Sequence, residues 1–88
     1  MHIDIEVRHY PGSEGFMVSV WKDGKKPETE AFETEAKTIE FLRKFNIQKF
    51  TPEEILKLVL AFHPRKNQNA QKFRVTARED AKNAAGNG

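Results

Sequence analysis

The strongest constraint on the fold is a strict alternation of apolar and polar residues at the start of the chain. From His2 to His9, an isoleucine or valine occupies every second position up to Val7, and charged side chains fill the positions between. Successive side chains of a β-strand point to opposite sides, so this pattern predicts a strand with one face on a core and the other towards solvent.

A second strand with the same period follows. Residues 10–15 contain a proline and two glycines, which favour a turn. Residues 16–21 then resume the alternation and place Phe16, Val18 and Val20 on the core side.

A hairpin and a third strand are predicted next. Asp23-Gly24 is a strong two-residue hairpin signal, because a type I′ turn requires positive φ at both central positions. Residues 28–33 form a weaker strand, and Pro27 removes a ladder donor beside it. We therefore expect this strand at an edge of the sheet, with Phe32 turned inward.

Two helices are predicted in the middle of the chain. Thr34 can cap a helix over residues 35–45, whose inward stripe is Ile39, Leu42 and Phe45. The start of the second helix is better specified, since Thr51 and Glu54 can form a capping box with a proline between them.

The second helix carries more apolar surface than one buried stripe needs. Its apolar residues from Ile55 to Phe62 surround most of the helix, and Pro64 should end it. The helix is therefore either buried on two sides or offers a second face to a partner, with Leu56 and Leu60 as the candidate contacts.

A short strand over residues 72–76 completes the prediction. The fold class is α+β, a small antiparallel sheet of three to four strands packed by two helices. Because 88 residues support a single core, we expect one compact domain over residues 1–76. Residues 77–88 are expected to form a marginal helix and a disordered tail.

The sequence argues against catalysis and against cofactors. It has no cysteine, and its three histidines lack the spacing of a metal site. Ser13 and Ser19 lie outside the turn context that activates a nucleophilic serine. We therefore expect neither an enzyme nor a bound metal or cofactor.

The positive charge is concentrated at the end of the chain. The net charge is only +2, but residues 62–88 hold six basic and two acidic side chains. One reading is a DNA- or RNA-binding segment over residues 65–82, using Arg65, Lys66, Lys72 and Arg74. The other is a solvated loop and an edge strand whose cations discourage edge pairing. Carboxylates in the first strands argue against phosphate binding on the sheet.

Met17 and Trp21 share the face of the second strand that points away from the core. They form either an exposed binding patch or a second core under a helix. We expect a small non-catalytic protein-binding module that acts as an inhibitor or adaptor by surface occlusion, free-standing or encoded by a mobile or phage-like element. Its contacts would be Met17, Trp21, Leu56 and Leu60.

Further expectations concern assembly and location. A homodimer through an edge strand or the second helix remains an alternative. The chain has no apolar run of membrane-spanning length and no secretory signal, so we expect no membrane partner and a cytoplasmic location.

Overall fold

The computed structural model describes residues 2–63, 66 and 69–78 and has the predicted α+β class. The elements are β1 (His2–His9), β2 (Phe16–Lys22), β3 (Glu28–Phe32), α1 (Glu35–Leu42), β4 (Asn46–Ile47), α2 (Pro52–Ala61) and β5 (Gln71–Arg78). All strands belong to one antiparallel sheet of five strands in the order β3-β2-β1-β5-β4. The predicted three to four strands were too few.

β1 is the central strand of the sheet. It pairs with β2 on one side and along its full length with β5 on the other, so that Ile5 lies opposite both Val20 and Val75. Directly opposite residues of antiparallel strands share a face, and the apolar positions of the three strands therefore meet on one side.

The two helices cover that apolar side. Ile3, Ile5 and Val7 are at most 1% exposed and belong to the same cluster as residues of both helices. The buried core is Ile3, Ile5, Val7, Phe16, Val18, Val20, Leu42, Ile55, Leu56, Val59, Val75 and Ala77. The predicted core positions of β1 and β2 are confirmed.

The predicted turn and the predicted edge are also confirmed. Asp23 and Gly24 have φ angles of 38° and 75°, and the Lys25 backbone N–H donates to the Lys22 carbonyl at 2.9 Å. β3 follows at the outer edge of the sheet, where it contacts β2 alone among the described strands.

The helix starts agree with the sequence, but the ends differ. Thr34 caps α1, whose last residue is Leu42 rather than Phe45. The Phe45 backbone N–H still donates to the Leu42 carbonyl at 3.1 Å, in a turn that leads to β4. α2 ends at Ala61, before the predicted stop at Pro64, which lies outside the described residues. Neither described helix is long and apolar enough to cross a membrane.

The last strand is longer and lies further inside the sheet than predicted. β5 runs from Gln71 to Arg78 and sits between β1 and the two-residue strand β4. Ala77 and Arg78 thus belong to a strand and not to a terminal helix, because both pair with β1 and β4. Residues 79–88, where the rest of that helix and the tail were predicted, lie outside the described residues.

An ion pair connects the end of α1 to the start of α2. The Arg43 guanidinium donates to a carboxylate oxygen of Glu53. A hydrogen bond from the backbone N–H of Glu53, followed by that from Arg43, lowers the pKa of the Glu53 carboxyl below its ordinary 4.5. The resulting stabilisation is present at neutral pH and is lost as the pH falls through the lowered pKa. Both side chains are well exposed, so the effect is small.

The capping box of α2 gives a test of the fold. The Glu54 backbone N–H donates to Thr51 Oγ1 at 3.1 Å, and the Thr51 N–H donates to Glu54 Oε1 at 2.8 Å. Replacing Thr51 by alanine should lower the free energy of unfolding by about 1 kcal/mol, because the first bond is lost. Urea unfolding followed by circular dichroism measures this change. Thr51→Ser keeps the acceptor and should match the wild type; equal losses in both variants would contradict the role of the hydroxyl.

Candidate binding surface

The sheet has two faces of different character. α1 and α2 pack on the face that carries Ile3, Ile5 and Val7, which we call the covered face. Side chains at the intervening positions point the other way, to what we call the open face. No helix among the described residues packs on the open face.

The open face is built from four strands. Its side chains are His2, Asp4, Glu6 and Arg8 on β1, Met17, Ser19 and Trp21 on β2, Thr29 and Ala31 on β3, and Lys72, Arg74, Thr76 and Arg78 on β5. The set mixes two large uncharged side chains, three hydroxyls and charges of both signs.

Trp21 and Arg74 form the centre of this face. The register places Trp21 opposite Asp4 and Arg74 opposite Glu6, so the two side chains approach diagonally across β1. The Arg74 guanidinium carbon lies 4.5 Å from the centre of the Trp21 ring. This is a cation–π contact, in which the positive group sits over the negative face of the indole. Trp21 is half-buried by its own neighbours as a result.

A second set of contacts orders the side chains beside Trp21. Arg8 Nη2 donates to Ser19 Oγ at 3.1 Å, and Ser19 Oγ lies 2.9 Å from Thr29 Oγ1. Arg8 Nε is 3.7 Å from Glu6 Oε1, which is close enough for charge attraction but too far for a hydrogen bond. Ser19 is only 1% exposed, although no described helix covers it. The long side chains of the open face therefore shield the short side chains and the backbone beneath them from solvent.

The open face carries more positive than negative charge. Arg8, Lys72, Arg74 and Arg78 are cationic, whereas Asp4 and Glu6 are the carboxylates. The Glu6 side chain is 14% exposed and its Oε1 lies 3.7 Å from Arg8 Nε, so the charges of these two side chains offset each other in part. The exposed charge at the β5 side of this face is positive.

The structure brings two separately predicted sites together. Met17 and Trp21, predicted for protein binding, lie on the same face as Lys72 and Arg74, predicted for nucleic acid. Lys66 is exposed in the loop before β5, and Arg65 lies outside the described residues.

The predicted pair on α2 is not a surface pair. Leu56 is 2% exposed and packs in the core, so it is not available to a partner. Leu58 and Leu60 are 38% and 40% exposed. These two leucines lie about 200° apart around the helix, on opposite borders of the stripe of buried residues. They do not form a continuous apolar face.

Sequence reasoning missed Arg8 and Ser19 as members of the surface, and it placed Arg78 in a marginal helix within the basic segment rather than on this sheet. The alternation in β1 already pointed Arg8 away from the core, and a hairpin between β1 and β2 would have placed it opposite Met17. No local signal placed Arg78 here, because its position depends on the pairing of β5 with β1.

Comparison with other proteins assigns neither a family nor a function to this chain. Neither models of protein families, nor curated proteins, nor solved structures match this chain. Within the described part of the chain, no three histidine, aspartate or glutamate side chains lie close enough together to hold a metal ion.

The contact between Arg74 and Trp21 can be tested directly, since Trp21 is the only tryptophan of the chain. Replacing Arg74 by alanine should uncover the indole, shift its emission to longer wavelength and increase its quenching by acrylamide. The free energy of unfolding should fall by about 0.5–1 kcal/mol. Lys72→Ala, two residues away on the same face, is the matched control and should leave the emission unchanged. Identical quenching in the wild type and Arg74→Ala would contradict the contact.

Proposed function

We propose that this protein is a non-catalytic protein-binding module and that the open face is its interface. The observation that carries the proposal is the half-buried Trp21, stacked by Arg74 on a sheet face that no described helix covers. Tryptophan, arginine and methionine are enriched in the cores of protein interfaces, and Trp21, Arg74 and Met17 supply all three. By covering a partner's surface, such a module acts as an inhibitor or adaptor.

The charges of the open face indicate which kind of partner surface would complement it. Arg74 and Arg78 are exposed on β5, and Lys72 is half-buried beside them. A partner surface with carboxylates around an apolar centre would complement this row and would be steered to it at low salt. The proposal requires no cofactor, and a chain without cysteine suits the reducing cytoplasm.

The hydrogen-bonded side chains favour a rigid interface. Arg8, Ser19 and Thr29 hold one another across β1, β2 and β3, and Trp21 is held by Arg74. Side chains that are ordered before binding lose less conformational entropy when the partner arrives. This arrangement suits a preformed surface better than one that folds on contact.

Nucleic-acid binding is the second candidate, favoured by the row of Lys72, Arg74 and Arg78 along one strand. Two features weigh against it. Asp4 lies on the central strand, where its carboxylate would repel phosphate. Trp21 is the only phenylalanine, tyrosine or tryptophan among the described open-face residues, whereas sheets that bind single strands commonly stack two or three bases.

Partner capture with matched variants tests the proposal. Wild-type protein, Arg74→Glu, Trp21→Ala and the control Lys57→Glu, which alters an exposed residue of α2, are used as baits in extract from the native host. The wild type and the control should enrich the same protein about tenfold over the two open-face variants, a difference of about 1.4 kcal/mol in binding. Circular dichroism confirms that each bait is folded.

Two outcomes would contradict the proposal. The first is equal enrichment by all four baits, which would move the interface off the open face. The second is captured material that disappears when the extract is treated with nuclease, combined with a change in oligonucleotide binding. In that case the affinity for an oligonucleotide should depend less steeply on salt concentration in Lys72→Ala and Arg74→Ala than in the wild type. That result would establish the nucleic-acid alternative.

A further inference from the structure

The outer edge of β3 is available for strand pairing. β3 is the terminal strand of the sheet, and residues 28–31 are all exposed. The backbone N–H and C=O groups on the outer side of a terminal strand can pair with another strand. β3 holds Glu28 and Glu30 and no lysine or arginine, so the strand itself is acidic.

One cavity lies where β3 meets α1. It has a volume of about 210 Å³ and is lined by Glu30, Phe32, Lys37, Glu40, Phe41 and Lys44. The rings of Phe32 and Phe41 form its apolar floor, with their centres 5.0 Å apart. Lys37 stands on α1 and Lys44 in the turn after it, whereas Glu30 and Phe32 stand on the edge strand itself.

A second cavity lies at the same end of β3, next to the loop between β1 and β2. Its volume is about 580 Å³. Met17 and Ala31 contribute from the open face, Phe16 and Phe32 contribute from the covered face, and Tyr10, Glu14 and Glu33 contribute from the loops. Tyr10 is one of the exposed large apolar side chains of the protein. No basic side chain lines this cavity.

The two cavities match the geometry of an added strand. Side chains of an extended segment point alternately to the two faces of a sheet. A residue beside Phe32 would therefore face the smaller cavity, and its neighbour beside Ala31 would face the larger one, which Phe32 also lines. We propose that β3 binds an extended segment of a partner protein as a sixth strand of the sheet. This kind of recognition uses backbone hydrogen bonds for affinity and the alternate pockets for specificity.

The side chains of β3 specify the chemistry of that segment. Glu28, Glu30 and Phe32 point to the helix side, so the residues opposite them should be two lysines or arginines and one apolar residue. Thr29 and Ala31 point to the other side and suit small or β-branched neighbours. Pairing of two β3 strands from two copies would bring carboxylates close to carboxylates, which disfavours a homodimer at this edge.

This second surface overlaps the open face only at its border. It uses the outer edge of β3 and the groove beside α1, whereas Trp21 and Arg74, the centre of the open face, lie on β2 and β5, one and three strands away. Met17 and Ala31 line the second cavity and also belong to the open face, but strand addition requires neither Trp21 nor Arg74, so the two proposals can fail independently.

A short synthetic peptide is the probe. An acetylated and amidated peptide with the order valine, threonine, lysine, threonine, lysine places its residues antiparallel to β3, with valine opposite Phe32 and the lysines opposite Glu30 and Glu28. Titration into isotope-labelled protein should shift the backbone amide signals of β3 and α1 to saturation. It should also slow amide hydrogen exchange in β3. Trp21 emission should stay constant, because the centre of the open face is not involved.

Charge exchange provides the specificity control. Glu28→Lys combined with Glu30→Lys should weaken binding of the lysine peptide by about tenfold, since two attractive cross-strand pairs become repulsive. A peptide with glutamate in place of lysine should then bind this variant better than it binds the wild type. Both exchanged side chains are exposed, so the fold should be retained.

Backbone methylation separates strand addition from simple charge attraction. Of two peptides methylated at complementary sets of alternate amides, one should lose binding, because one set must donate to β3. Equal binding of both methylated peptides, or no shift of the β3 amides, would overturn the proposal. Shifts of the β3 amides that grow with protein concentration in the absence of peptide would identify a second copy as the occupant and would also overturn it.

Discussion

The pairing of β1 on both sides is the constraint on which the rest of the structure depends. β2 and β5 lie against β1 over most of its length, and Ile3, Ile5 and Val7 are thereby removed from water in the middle of the sheet. Burying three such side chains contributes several kcal/mol, on the order of 1.5–3 kcal/mol each. The helices have one place to dock, because only this side of the sheet is apolar.

The same alternation that builds the core also builds the open face. Each apolar residue of β1 that turns to the helices leaves a charged neighbour on the other side, so Asp4, Glu6 and Arg8 form the central row of the open face. Their partners across β2 and β5 then determine what surrounds them. Among the described residues, long side chains such as Arg74 cover part of this second sheet face.

Strand order converts a charge gradient along the chain into a charge gradient across the sheet. β3 carries Glu28 and Glu30 and no cation, whereas β5 carries Lys72, Arg74 and Arg78 and no carboxylate. Because β2 and β1 lie between them, the acidic and basic strands are about 14 Å apart, three strand spacings. The protein thus presents an acidic edge strand and a basic strand on the other side of β1.

The local pattern of the sequence determined most elements and their inward sides. Period-two alternation placed β1 and β2, Asp23 and Gly24 specified the turn, and Thr51 with Glu54 specified the start of α2, because each of these signals acts through neighbours in the chain. Tertiary structure decided the rest. A two-residue strand such as β4 has no period to detect, and Leu56 is buried while Leu60 is exposed only because of where the helix docks. Above all, the pairing of β5 with β1 brought Arg74 to Trp21. The alternation of apolar and polar residues states which side of the sheet a residue faces, but not which strand lies beside it. A shift of one residue in the register between β5 and β1 would have turned Lys72 and Arg74 towards the core.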